Sequence, residues 1–227
     1  MNWYKKANLW DEIQKFGPSE NPIDVNDPSD IKRIEFVEKE FGLNRQKAIE
    51  YLDKRLMGDF ARRGYFTKNY GWSVPSKKAI NELKAFIGND EVLEVASGYG
   101  MWAKLMQDAG IKVRATDLVK SPHFKVYNPS KKAFTDIEDL SHGDALEKYS
   151  SHKVLMMSWP PYDCSLAYET IRSFKGNKLI FVGESKGGCT ANDDFFKELN
   201  KNWKFIKDID IPQWAGIHDY LFLYVRK

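Results

Sequence analysis

From Pro75 onward, short apolar runs alternate with amphipathic stretches, and this alternation constrains the fold more than any other feature of the chain. Runs that short and that uniformly apolar must be covered on both faces, so a mostly parallel sheet flanked by helices is expected. Ser76 is placed to cap a helix through Ile87. Val92 to Val95 reads as a strand, Met101 to Ala109 as a helix and Lys112 to Thr116 as a second strand. A weaker third strand is expected near Asp136 to Leu140. Val154 to Met157 and Lys178 to Val182 read as further strands, with helices from Ser165 to Phe174 and from Asp193 to Leu199. Trp203 to Ile211 and Tyr220 to Val225 are β-rich runs joined by a turn around Pro212 and Gly216, which suits an antiparallel pair at one sheet edge. The expected class is α/β: a doubly wound, Rossmann-like, mostly parallel sheet with an antiparallel C-terminal edge strand.

Upstream, the turn-forming stretches Gly17 to Pro22 and Asn26 to Asp30 set off a short aromatic N-terminal segment. A helix is expected from Ser29 or Asp30, which would cap it, with Ile31, Ile34, Val37, Glu38 and Phe41 at helical spacing and Gly42 as its end. A second helix is expected from Asn44 to Met57, burying Ala48, Tyr51, Leu52 and Leu56. Residues 1–69 thus form an N-terminal helical extension to a main domain over 70–227.

With 42% hydrophobic and 14% aromatic residues in 227, the chain can bury a core, which excludes general disorder. The net charge of +3, from 35 basic and 32 acidic residues, is too small to imply nucleic-acid binding by itself. Cys164 and Cys189 lack CxxC spacing, and His123, His142, His152 and His218 are scattered, so no structural metal is expected. The N-terminal Met1 to Lys6 has no apolar signal core, and no apolar run approaches the roughly 20 residues of a membrane span. A cytoplasmic setting is the expectation.

The most informative segment is Glu94-Val95-Ala96-Ser97-Gly98-Tyr99-Gly100, where an expected strand gives way to an expected helix. Glycines there let the backbone turn sharply and approach a ligand, and the helix start directs free N–H groups at it. Asp117, at the end of the next strand, can accept both ribose hydroxyls of a nucleoside. The P-loop pattern GxxxxGK[ST] is absent, and GxGxxG requires a third glycine where Ala103 stands. Glu94 ahead of the glycines suits a cationic, phosphate-free ligand better than a pyrophosphate. The segment resembles the first motif of class I methyltransferases, E/DxGxGxG, with Ala96 in place of the first glycine. That resemblance implies S-adenosylmethionine as cofactor, held by Glu94, Ala96, Ser97, Gly98, Gly100 and Asp117. It also implies that Asp144, in His142-Gly143-Asp144-Ala145, accepts the adenine amino group; an ordinary helix-capping role for Asp144 is compatible with this.

A second segment, Met156-Met157-Ser158-Trp159-Pro160-Pro161-Tyr162-Asp163, follows the fourth strand. Its prolines stop the strand and stiffen the chain where doubly wound folds bind ligands. It resembles the [DNS]PP[YF] motif of methyltransferases that modify exocyclic amino groups. In those enzymes a polar side chain and the first proline carbonyl accept from the target amine while the aromatic stacks on its ring. Here Trp159 is inserted between Ser158 and Pro160. The resemblance implies an acceptor site made by Ser158, Trp159, Pro160 and Tyr162, with Asp163 as an alternative acceptor or base; the other reading is a turn that merely plugs the end of the sheet.

The chain from Tyr70 to Arg226 is similar to a group of methyltransferase-like proteins with a WPPY turn. That likeness is carried by Tyr70 to Pro75, Glu94 to Trp102, Ser158 to Tyr162, and Val182-Gly183-Glu184 leading to Gly188-Cys189-Thr190. It implies that Tyr70 and Trp72 lie near the methionine end of the cofactor and that Glu184 points into the same cleft, the other reading for Glu184 being an exposed loop carboxylate. Between Lys54 and Lys78, basic residues interleave with Phe60, Tyr65, Phe66, Tyr70 and Trp72, a mixture that contacts phosphates and bases or, more simply, packs its aromatics on the core. The implied activity is methyl transfer to a nitrogen or oxygen of a nucleic-acid base or small molecule. A non-catalytic nucleic-acid- or partner-binding module and an enzyme that cleaves S-adenosylmethionine are the alternatives. Nothing in the pattern specifies an oligomeric state.

Overall fold

The computed structural model describes residues 8–18, 23–53, 55–127, 129 and 132–227, the side chains of Arg55, Leu56, His123 and Tyr127 excepted. The N-terminal Met1 to Lys6, the turn-rich residues 19–22, Lys54 and the side chain of Leu56 therefore lie outside the described residues.

The aromatic N-terminal segment is a helix, α1 (Leu9–Phe16), because Asn8 caps it by accepting from the Trp10 N–H and because Leu9, Ile13 and Phe16 share one buried face. Asp27, one turn position ahead of the expected Ser29 or Asp30, caps α2 (Pro28–Phe41) by accepting from the Ser29 and Asp30 N–H groups. Asp30 is instead buried in an ion pair with Arg33 at 2.6 Å. The helix expected over 44–57 is shorter, and a longer one follows: α3 (Arg45–Asp53) and α4 (Arg55–Asn69). Ala48 and Leu52 are buried with Ile34, Val37 and Ala61 in a small core between these helices, and Tyr51 is half-buried against it.

Ser76 caps α5 (Lys77–Ile87), accepting from the Ala79 N–H at 3.1 Å. The alternation then runs β1 (Val92–Val95), α6 (Met101–Asp108), β2 (Val113–Asp117), α7 (Pro122–Tyr127), β3 (Ile137–Asp139), α8 (His142–Lys148), β4 (Val154–Ser158), α9 (Leu166–Ser173), β5 (Lys178–Gly183), α10 (Asp193–Asn202), β6 (Trp203–Asp210) and β7 (Tyr220–Arg226). The sheet order is β3-β2-β1-β4-β5-β7-β6. β3 to β5 pair in parallel across β2, β1 and β4, and β7 pairs antiparallel with both β5 and β6. This is the doubly wound α/β class with an antiparallel pair at one edge.

Period-two alternation sends successive residues of each strand to opposite faces. Val92, Val154, Met156, Ile180 and Val182 enter one core, and Leu93, Val95, Leu155, Met157, Leu179 and Phe181 enter the other. Each fully buried Leu, Ile, Val or Phe contributes about 1.5–3 kcal/mol relative to exposure. The first core also takes Leu9, Ile13 and Phe16 of α1 and Phe66 of α4, so the extension is packed onto one face of the sheet. Strand order reverses between β1 and β4, which opens a crevice at their carboxyl ends. Among the described residues no helix is long and apolar enough to cross a membrane, and no group of His, Cys, Asp and Glu is placed to hold a metal ion.

Candidate active site

Residues 96–100 leave β1 in a tight bend. Ala96 (φ 55°), Gly98 (φ 57°) and Gly100 (φ 71°) all adopt the left-handed region. Alanine at such an angle stores strain, and strain of this kind persists where surrounding structure enforces it. Gly100 is required on two counts: its φ, and the space, since a Cβ there would lie 2.9 Å from Thr135 Cγ2. It opens α6 without any side-chain cap.

Asp117 ends β2 directly beside this bend. Its Oδ2 accepts from the Gly98 N–H at 2.8 Å and its Oδ1 from the Leu118 N–H at 2.7 Å. Burial raises its pKa, and those two N–H groups act in the opposite direction. The Ser97 hydroxyl is buried with no partner among the described residues.

Glu94 lies beneath the start of α6, fully buried, with neither carboxyl oxygen hydrogen-bonded. Burial pushes it up to about 8; the Ala103 N–H at the helix start opposes this without closing a hydrogen bond, and Asp117 adds to the rise. Glu94 thus lies under the bend, buried and without a hydrogen-bond partner among the described residues.

At the end of β4 the chain turns through Trp159, another strained residue at φ 53°, whose N–H donates to the Val182 carbonyl at 2.8 Å. Ser158 shares a hydrogen bond of 2.9 Å with Ser73, which accepts from the Trp102 indole N–H at 2.9 Å. Since Trp102 belongs to α6, this chain of bonds ties the glycine bend to the end of β4. The Trp159 and Trp72 rings stack 5.7 Å apart at 22°, and the Arg63 guanidinium lies over both, at 5.0 and 5.3 Å. Burial lowers the Arg63 pKa, and Asp219 and Glu184 act against that.

Two acids sit beside this aromatic group. Asp219, at the turn into β7, is 1% exposed with both oxygens unpartnered. Burial pushes it up to about 7, while the facing Trp159 indole N–H, which makes no regular hydrogen bond to it, and Arg63 pull it down. Glu184 follows β5 and is buried, not an exposed loop carboxylate. Burial alone would raise it, but its acceptance of the Cys189 N–H at 2.7 Å and the His218 N–H at 3.0 Å holds it below the ordinary range.

The expected residues therefore separate. Ala96, Ser97, Gly98, Gly100 and Asp117 line the bend, and Ser158 and Trp159 stand across the β1–β4 crevice from them. Tyr70 is in the core, stacked among Phe16, Phe66 and Phe134, with its hydroxyl donating to Glu12 at 2.5 Å; burial and that bond raise its pKa. Its aromatic bulk next to α1 decides this, and it does not reach the cleft. Asp144 is exposed at the first turn of α8, where Ser141 accepts from its N–H and donates to its carboxylate at 2.6 Å, a capping pair. The Pro160 carbonyl accepts from the Ala191 N–H at 2.9 Å, and Pro161 bridges to Thr190, so the turn is stitched to the loop after β5. Tyr162 is 60% exposed and Asp163 is exposed as well.

In the basic segment, Arg62 is buried and paired with Asp59 at 3.5 Å and Phe66 and Tyr70 are core residues, whereas Phe60 is 64% exposed and Tyr65 and Trp72 are half-buried. Asp219 carries no recognisable motif and was invisible in the sequence; Arg63 was one basic residue among several.

No protein-family model and no curated protein matches the sequence. Among solved structures, the chain is similar to the 1,6-didemethyltoxoflavin-N1-methyltransferase of Burkholderia thailandensis, at 15% identity over 66% of this chain and 77% of that one, TM-score 0.46. It is also similar to a ribosomal protein L11 methylase of Lactobacillus delbrueckii subsp. bulgaricus, at 16% identity over 66% and 78%, TM-score 0.43. Likeness at this level does not extend to ligand or reaction.

Proposed function

We propose that this chain is an S-adenosylmethionine-dependent methyltransferase of the class I type, in the group with a WPPY turn, acting on a nitrogen or oxygen of a substrate held beside Ser158 and Trp159. One observation carries the reading: the strained bend and the Asp117 carboxylate are locked together through the Gly98 N–H at the topological switch point.

The residues present fit the cofactor. Each Asp117 oxygen receives a single N–H in the structure and retains a lone pair for a ribose hydroxyl. The partnerless Ser97 hydroxyl supplies a further polar contact at the bend. When bound, S-adenosylmethionine supplies the methyl group and takes the electron pair of the broken carbon–sulfur bond on leaving as S-adenosylhomocysteine. The chain's own contribution is positioning. Asp117 and the bend fix the sugar, Ser158 orients the nucleophilic atom through its hydroxyl, and the indoles of Trp72 and Trp159 exclude water and pack on the acceptor. Ser73 and Trp102 hold Ser158 in place. The Pro160 carbonyl accepts from the Ala191 N–H and retains one lone pair, so it and the Ser158 hydroxyl are the polar groups offered to the acceptor. Arg62, Phe66 and Tyr70 are withdrawn into the protein, so the proposed acceptor is a small molecule, with nucleic acid as the other outcome of the test.

The test is transfer of labelled methyl from S-adenosylmethionine into separated DNA, RNA, protein and metabolite pools, with Asp117→Ala and Trp159→Ala as controls. Label in the metabolite pool that disappears in both variants is expected. Transfer undiminished in Asp117→Ala, or cofactor breakdown at the same rate without any acceptor, contradicts the reading.

A further inference from the structure

The N-terminal extension delivers one charged side chain to the far half of the crevice. Arg63 projects from α4 onto the stacked rings of Trp72 and Trp159, 5.3 and 5.0 Å from their centroids. Its Nε is buried without a partner, and the guanidinium makes no hydrogen bond or ion pair with any described residue. The residue is half-buried, and an anion arriving at its N–H edge would supply the partner that the protein does not. The N–H groups of a guanidinium packed against aromatic rings can still take a carboxylate in a two-point contact.

The surroundings set the charge of the ligand. Asp219 and Glu184 act electrostatically on Arg63 from nearby, and Glu184 is held ionised by two N–H groups. These acids already offset part of the Arg63 charge, so a phosphate dianion would meet stronger repulsion than a singly charged carboxylate. The indole pair offers a flat apolar face next to the cation.

We propose that Arg63, Trp72 and Trp159 form a subsite for an aromatic carboxylic acid, with Arg63 taking the carboxylate and the indoles packing on the ring. This rests on the methyltransferase reading only in naming that acid as the methyl acceptor; the binding itself does not depend on it. It gives the extension a task, since the cation at the β4 end of the cleft comes from outside the sheet domain.

The experiment follows the tryptophan indole N–H signals of the full-length ¹⁵N-labelled chain by NMR, with Trp72→Phe and Trp159→Phe giving the assignments. Benzoate, its neutral counterpart benzamide, and phenyl phosphate are the probes. Benzoate is expected to shift both signals saturably, to bind at least about tenfold more tightly than benzamide, and to lose at least about tenfold in Arg63→Met, as removal of a charge-assisted pair requires. Equal binding of benzoate and benzamide, unchanged benzoate binding in Arg63→Met, or no saturable shift overturns the proposal. Tighter binding of phenyl phosphate than of benzoate overturns the carboxylate assignment. If Arg63→Met does not fold, Arg63→Lys is read instead: it keeps the charge but loses the fork, so a loss of at least about threefold is expected and an unchanged affinity refutes. Calorimetric titration of the same samples with S-adenosylhomocysteine reports on the methyltransferase reading alone, so the two can fail separately.

Discussion

Glu94 shows how a residue legible as a ligand contact becomes a buried support. Its carboxyl has a pKa of about 8 in the folded chain against an ordinary 4.5, and the cause is burial. Below the ordinary value both folded and unfolded forms hold the proton. As pH rises from there, the unfolded chain releases its proton first, so stability falls with pH until the folded pKa is passed. Glu94→Gln removes this penalty. Thermal or denaturant unfolding should show the variant gaining on the unaltered protein between pH 5 and pH 8.5, by on the order of a few kcal/mol; a constant gap across that range would contradict it. Gly100 makes a steric prediction. An added Cβ meets Thr135 at 2.9 Å and the φ of 71° disfavours any side chain, so Gly100→Ala should cost about 1–3 kcal/mol in urea unfolding. Unchanged stability would show that the bend relaxes freely.

The helices and strands that decide the cleft were largely readable, and the exceptions have physical reasons. The apolar runs of β1, β4 and β5 lie where uniform burial predicts, because strands covered on both faces leave no other reading. α1 was hidden by its brevity: Leu9, Ile13 and Phe16 repeat over only 8 residues. α4 was hidden by its composition, since Gly58, Gly64 and a run of basic residues mask a helix whose Arg62 is buried through an ion pair. The cap of α2 shifted to Asp27 because Pro28 fits the first turn and Asp30 is needed by Arg33. Asp27→Ala should therefore cost about 1 kcal/mol of stability by chemical denaturation, whereas Ser29→Ala, at a position that caps nothing, should cost measurably less. Equal costs would contradict the assignment of the cap to Asp27. Residues brought together only by the fold, such as Asp219 from the β6–β7 turn and Glu184 from the loop after β5, had no local pattern by which to be found as a pair.

Across the molecule, two half-sites face one another over the crevice between β1 and β4. On one side the bend and Asp117 are joined by a hydrogen bond; on the other, Ser158, Trp159, Trp72 and Arg63 are gathered from the sheet and from the helical extension. The Trp102, Ser73 and Ser158 bonds connect the two sides. Among the described residues, Ser97, Trp159, Asp219 and Arg63 carry buried polar atoms without partners at this edge; Arg33, His152, Trp203 and Trp214 carry others elsewhere. Such groups are rare in folded proteins, and a bound ligand would supply partners for those at the crevice. The central claim is that the carboxylate of Asp117 holds an adenosine-containing cofactor at the bend. Isothermal titration calorimetry with S-adenosylhomocysteine tests it: saturable one-site binding by the unaltered chain, weakened at least about tenfold in a folded Asp117→Ala, is the result expected of a lost charge-assisted contact. No binding to the unaltered chain, or equal binding by the variant, would contradict it.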